Sequence, residues 1–142
     1  MMLLFPKNTK WKKSFSRKSR SFSENNSLSM LLGDFSLISL EHGKINNKQL
    51  EGVRRSLRRI LKKQGKSWLR PFPNTSITKK PDETRMGKGK GNHKAWICMI
   101  NKGETIVEIK GCHWKQAKDA LLQAKRKLSL NTYICLDKNF LY

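Results

Sequence analysis

Leu50, Val53, Leu57, Ile60 and Leu61 recur at the three-and-four spacing of one helical face, and cations crowd the positions between them. Asn46 stands where an N-cap belongs, and Gln49 follows three residues later, as in a capping box. Gly65 supplies a stop. The spacing predicts a helix over residues 47–64 whose apolar stripe must find a core. Its other flank carries Arg54, Arg55, Arg58, Arg59, Lys62 and Lys63, with only Glu51 to offset them. Like charges four apart weaken a helix by about 0.2–0.5 kcal/mol per pair. The flank is either a solvated face or a surface laid against phosphates, and the second reading is preferred because it turns repulsion into binding energy.

The same imbalance runs through all 142 residues: 31 Lys+Arg stand against 10 Asp+Glu, a formal net charge of +21. So much like charge opposes compaction unless a polyanion relieves it. Nucleic acid and anionic membrane are the two candidates, but no stretch reaches the roughly 18 apolar residues that a membrane span needs. The length fits one domain plus tails. Cys98, Cys112 and Cys135 are odd in number and match no disulfide framework or zinc spacing, so reduced thiols are expected.

Catalytic signals are weak. His42, His93 and His113 are scattered, and adjacency of Cys112 and His113 does not make a nucleophile–base pair. Asp82 and Glu83 have no evident partner. No metal-ligand spacing occurs, so neither a metal nor a cofactor is expected, and the chain reads as a binding protein rather than an enzyme.

Near the start, Lys7, Lys10, Lys12, Lys13, Arg17, Lys18 and Arg20 form a basic arm with Trp11 and Phe15 interleaved. It lacks apolar periodicity and should be disordered without a partner. Its cations suit phosphates, and Trp11 suits stacking on an unpaired base. A mitochondrial transit peptide has a similar composition. The expected organisation is an arm and linker over residues 1–32, a domain over 33–136 and a tail over 137–142.

Within the domain, residues 34–40 read as a strand, and Gly43 breaks the chain before the helix. Residues 67–72 read as a short strand bent by Pro71. A long polar loop is expected over residues 73–94. Residues 95–100 and 104–110, joined by a turn at Asn101-Lys102-Gly103, read as a hairpin. Trp114, Ala117, Leu121, Ala124 and Leu128 mark a second helix, and residues 131–136 a last strand. Trp68, Trp96 and Trp114 fall on these elements, with core packing as the default. The order implies α+β packing rather than a doubly wound sheet.

In the long loop, Arg85-Met86-Gly87-Lys88-Gly89-Lys90-Gly91-Asn92 alternates glycine with cations. Glycine lets backbone approach a ligand closely. The run has neither the spacing of a P-loop nor its Lys-Ser/Thr ending. Alone it could be a flexible linker; beside Lys79 and Lys80 it reads as a loop that hugs RNA.

These residues resemble a known family. The run Gln64-Gly65-Lys66-Ser67-Trp68-Leu69-Arg70, then Phe72-Pro73, Ile77-Thr78-Lys79-Lys80-Pro81 and the Arg85–Asn92 segment are similar to bacterial-type large-subunit ribosomal protein sixteen. Pro6-Lys7, Thr9-Lys10, Gln49-Leu50-Glu51, Arg54-Arg55 and Trp96 fit as well. The resemblance implies an α+β hammerhead domain, with two helices packed on an antiparallel sheet. It implies binding to large-subunit rRNA near the peptidyl transferase centre and the aminoacyl-tRNA site. Arg85, Met86, Gly87, Lys88, Gly89, Lys90, Gly91 and Asn92 would form the loop nearest that site. The arm, the helix flank, Lys66, Arg70, Lys79 and Lys80 would bind rRNA. Expected partners are rRNA, transiently the aminoacyl-site tRNA, and neighbouring large-subunit proteins, with no homo-oligomer. Residues 21–32 and 41–44 depart from the family pattern, which puts RNA contacts there in doubt, and the tail has no counterpart.

The pattern begins almost at Met2, so little room for a transit peptide is expected. The many Asn and Lys residues suggest an organelle-encoded member in the mitochondrial matrix, with plastid or bacterial origin as alternatives. A free-standing RNA chaperone or regulator shares every basic feature and would be told apart by failing to sediment with the large subunit. A nucleotide-hydrolysing enzyme is the third reading, disfavoured by the absent P-loop ending.

Overall fold

The computed structural model describes residues 4–15, 30–62 and 64–136. In chain order its elements are β1 (Phe35–Ser39), β2 (Gly43–Asn46), α1 (Asn47–Leu61), β3 (Lys66–Leu69), β4 (Thr75–Lys79), β5 (Asn92–Ile100), β6 (Thr105–Lys110), α2 (Trp114–Lys125) and β7 (Thr132–Leu136). The α+β class and the two helices packed on antiparallel sheet are as expected. The strands are divided between two sheets, ordered β3-β6-β1-β7 and β2-β5-β4.

That division corrects the sequence reading in three places. The turn after β5 is real, with Gly103 at φ 82°, but β5 and β6 do not pair. β6 joins β1 and β3, while β5 joins β2 and β4. The Gly103 N–H donates to the Ser39 carbonyl at 2.8 Å, and the Ser39 N–H to the Glu104 carbonyl at 3.0 Å. The turn is thus tied to β1, and the chain changes sheets there. The true hairpin is β4–β5, in which Thr75 faces Ile97 and Lys79 faces Asn92. The polar loop therefore shrinks: residues 75–79 are strand, and β5 begins at Asn92 rather than Ala95. Gly43 opens β2 instead of breaking the chain.

Both helices end earlier than their periodicity. In α1 the Asn46 N–H donates to Gln49 Oε1 at 2.8 Å, as its sequence foretells. Lys62, at φ 50°, turns the chain after Leu61, and its N–H donates to the Arg58 carbonyl at 3.1 Å. The chain must turn this soon because Lys66 already pairs with Lys110. Gly65, at φ 100°, fits beside the Lys110 carbonyl where a Cβ would come within 3.1 Å. In α2, His113 is the N-cap and its Nδ1 accepts from the Lys115 N–H at 3.3 Å. The last turn tightens, with Lys127 and Leu128 bonding three residues back.

One core joins the layers. Leu50, Val53, Leu57 and Leu61 of α1 meet Ala117, Ala120, Leu121 and Ala124 of α2, the β1 and β6 side chains, and Ile45, Cys98 and Ile100 from the second sheet. Each fully buried Leu or Ile contributes about 1.5–3 kcal/mol. Leu4, upstream of the basic arm, is buried in this core at 8% exposure. Trp114 packs on it, with its ring 5.5 Å from that of Phe35. Trp68 and Trp96 are only half-buried; Trp96 lies against His93, ring centroids 4.9 Å apart.

Candidate nucleic-acid interface

The cations fall into three sets. On α1, Glu51 gathers the first two: Arg54 donates from Nε at 2.8 Å and from Nη2 at 2.7 Å, and Arg55 from Nε at 3.0 Å. The hydrogen-bonded Arg54 guanidinium, helped by Arg55, holds the Glu51 carboxyl down at about 2. Arg58, Arg59 and Lys62 are exposed and make no ion pair among the described residues. The outer half of the flank is therefore uncompensated, whereas the inner half is partly neutralised. Lys63 lies outside the described residues.

The second set is the tip of the β4–β5 hairpin. Residues 81–90 are all exposed, and Met86 is completely so. Gly87, Lys88 and Gly89 take φ values of 91°, 52° and 82° in succession. Three consecutive left-handed residues curl the backbone in a way that side-chain-bearing residues resist, which explains the glycines on either side of Lys88. No atom outside its chain neighbours lies within 4 Å of where a Cβ on Gly87 or Gly89 would sit. Gly91 has a different duty: its Cβ would come within 2.6 Å of the Lys79 carbonyl carbon and oxygen. It lets the hairpin close, and Asn92 then starts β5. Lys80 Nζ donates to the Gly87 carbonyl, and Lys79 pairs with Asp82 at 2.7 Å. Arg85 and Lys88 make no ion pair among the described residues.

The third set is the arm. Lys7, Lys10, Lys12 and Lys13 are exposed, as are Trp11 at 75% and Phe15 at 92%. Lys10 Nζ stands 6.0 Å from the Trp11 ring centre. The arm reaches the hairpin: Lys13 Nζ donates to the Lys90 carbonyl at 3.1 Å, and Lys90 Nζ to the Ser14 carbonyl at 2.5 Å. Lys90 also sits 4.8 Å from the Phe15 ring centre. Sequence separation hid this link, since the partners are 76 and 77 residues apart. Arg17, Lys18 and Arg20 lie outside the described residues.

Two expected RNA ligands stand apart from these sets. Lys66 is exposed on β3, an edge strand. Arg70 donates from Nη1 to Glu108 Oε1 at 2.7 Å, and Glu108 is fully buried. The other Glu108 oxygen accepts from the Leu32 and Gly33 N–H groups at 2.7 and 2.9 Å. Arg70 thus has a structural task that its place in a basic sequence did not reveal. Burial, with the Glu104 charge adding to it, pushes the Cys98 thiol up to about 11, which leaves it protonated and unreactive. Among the described residues no cluster of His, Cys, Asp or Glu could hold a metal ion, and no helix is long and apolar enough to cross a membrane.

An α+β scaffold that carries an uncompensated cationic helix flank and a glycine-spaced cationic hairpin has the footprint of a polyanion-binding protein. A family model described as Ribosomal protein L16p/L10e matches residues 6–135. The chain belongs to that family, whose members are structural constituents of the large ribosomal subunit, with rRNA and ribosomal proteins as partners.

Proposed function

We propose that this chain binds large-subunit rRNA beside the peptidyl transferase centre and presents its β4–β5 hairpin tip, Arg85 to Asn92, toward the aminoacyl-tRNA site of a mitochondrial ribosome. The reading rests on the family and on one observation above all: a run of ten exposed residues, 81–90, held out at the end of a paired hairpin. Such a tip has nothing to do for the chain's own core. Curled backbone at Gly87 to Gly89, with Arg85 and Lys88 making no ion pair among the described residues, suits the crowded, anionic surface of folded RNA. The α1 flank, the arm, Lys66, Lys79 and Lys80 grip phosphates farther out, and Arg70 offers the donors that Glu108 does not use. Phosphate contacts dominate, so sequence readout is minor. The domain division into arm, 33–136 body and tail is part of the same proposal. So is the mitochondrial matrix, which rests on the Asn- and Lys-rich composition.

The test is Lys88→Glu combined with Lys90→Glu. The expected outcome is slow tRNA accommodation or arrested subunit maturation, read by single-turnover dipeptide formation and by gradient profiles. Ribosomes that carry the pair and translate at the normal rate would remove the tip from this role.

A further inference from the structure

Between the arm, the β3–β4 connection and β5 lies an open cleft of about 580 Å³ that the phosphate-gripping cations do not explain. Its walls include Phe15, Arg70, Phe72, Asn74, Thr75 and Glu104. Phe15 is 92% exposed and Phe72 49% exposed. Neither ring belongs to the hydrophobic core. Two exposed phenylalanines on one polar cleft form a stacking surface with hydrogen-bonding groups around it, the arrangement that receives splayed-out bases. The volume is within the roughly 300–1,000 Å³ of pockets that hold small ligands.

We propose that this cleft receives one unpaired nucleobase of large-subunit rRNA, stacked on Phe72 and covered by Phe15. The wall carries one cation and one anion, and Arg70 is already paired with the buried Glu108, so Glu104 weighs against a phosphate inside the cleft. Glu104 is part of the wall, and one of its oxygens, Oε2, accepts from the Asn101 N–H at 2.9 Å. That carboxylate repels a phosphate but accepts from the amino or imino N–H of a base. The Asn74 amide can both donate and accept. The base's own phosphate stays at the rim, where Lys13 and Lys90 bracket the arm residues Ser14 and Phe15. Lys90 holds the Ser14 carbonyl and lies over the Phe15 ring, and Ser14 Oγ is 3.4 Å from Ser76 Oγ. The arm is thereby seated as one wall, and the base completes a surface that the protein alone leaves open.

The inference rests on the rRNA partnership and is tested in purified large subunits that contain the chain. Base probing, with dimethyl sulfate for adenine and cytosine and a carbodiimide for uracil and guanine, compares subunits carrying the unaltered chain, Phe72→Ala and Phe72→Tyr. One unpaired base is expected to be protected by the unaltered chain and by Phe72→Tyr. Under Phe72→Ala it becomes roughly five-fold or more reactive, as loss of one base–aromatic stack requires. Reactivities identical across the three, in subunits that hold the variant, overturn the cleft proposal while leaving the broader rRNA reading intact. Ultraviolet cross-linking of unaltered subunits provides the arm that does not depend on a variant. A nucleotide attached to Phe15 or Phe72 supports the site; attachment of both rings only to another ribosomal protein overturns it. Failure of the unaltered chain to sediment with large subunits would instead sink the functional reading beneath both.

Discussion

In the sheet built on β6 and β1, a carboxylate is fully enclosed and every partner is fixed; at the end of the β4–β5 hairpin, Asp82 pairs with Lys79 in solvent, and Arg85 and Lys88 make no ion pair among the described residues. Glu108 is 0% exposed and accepts from Arg70, Leu32 and Gly33. β1 and the first five residues of β6 are buried throughout. The hairpin tip buries nothing from residue 81 to residue 90. In a chain of net charge +21, one acid, Glu108, is spent inside the fold, while Glu51 and Asp82 offset only a few of the surface cations. In the proposed function the uncompensated remainder faces rRNA, and that polyanion finishes the charge balance.

The sharpest way to break this contrast is Arg70→Ala. Removing Arg70, itself partly exposed, strands the fully buried Glu108 carboxylate, and a loss of about 3 kcal/mol in unfolding free energy is expected. Denaturant titration reads it. A loss under 1 kcal/mol would mean that the two backbone N–H groups suffice for Glu108 and that Arg70 is free for RNA.

Next in size is Gly91→Val. Its Cβ meets Lys79 backbone at 2.6 Å, so the hairpin must spread. Overpacking of this kind costs about 1–3 kcal/mol. Amide exchange should rise in β4 and the tip while β1 and β6 stay protected. A uniform rise across both sheets would mean that the clash at Gly91 is not confined to the hairpin.

Reversing Arg58 and Arg59 to Glu should leave unfolding nearly unchanged, since neither makes an ion pair among the described residues. RNA affinity should fall, and the slope of log affinity against log salt should flatten by roughly 1.8 if both neutralise duplex phosphates. An unaltered slope would assign that flank to water.

The smallest effect is at Glu51. Its carboxyl is lowered from 4.5 to about 2 in the folded chain. A depressed acid stabilises the fold above the unfolded value and loses that contribution as pH falls through 4.5 toward 2. The pair lies on the surface, so Glu51→Gln should cost about 1 kcal/mol or less at pH 7, and the difference from the unaltered chain should vanish near pH 2. A difference that persists there would point to packing instead of charge.

The sequence announced what is local. Leu50, Val53, Leu57 and Leu61 place α1 and its buried face, and the Asn46–Gln49 bond sets its start. The glycines at 87, 89 and 91 mark a backbone with special demands, though the different duty of Gly91 needs Lys79 beside it. What could not be read depends on distant pairing. β4 is short and polar, with Thr75, Ser76 and Thr78 on it, and only its register with β5 makes it a strand. Asn101-Lys102-Gly103 is a good hairpin turn whose strands are claimed by separate sheets. Glu108 alternates like a solvent-facing residue, yet both faces of β6 are covered, and its partners lie 38, 75 and 76 residues away.

The most direct measurement is a density map of the intact large subunit with this chain in place. The account requires rRNA phosphates against Arg58, Arg59 and the described arm lysines, with RNA wrapped about Arg85 to Lys90. A map in which the helix flank, arm and hairpin tip all face solvent or other proteins would contradict it.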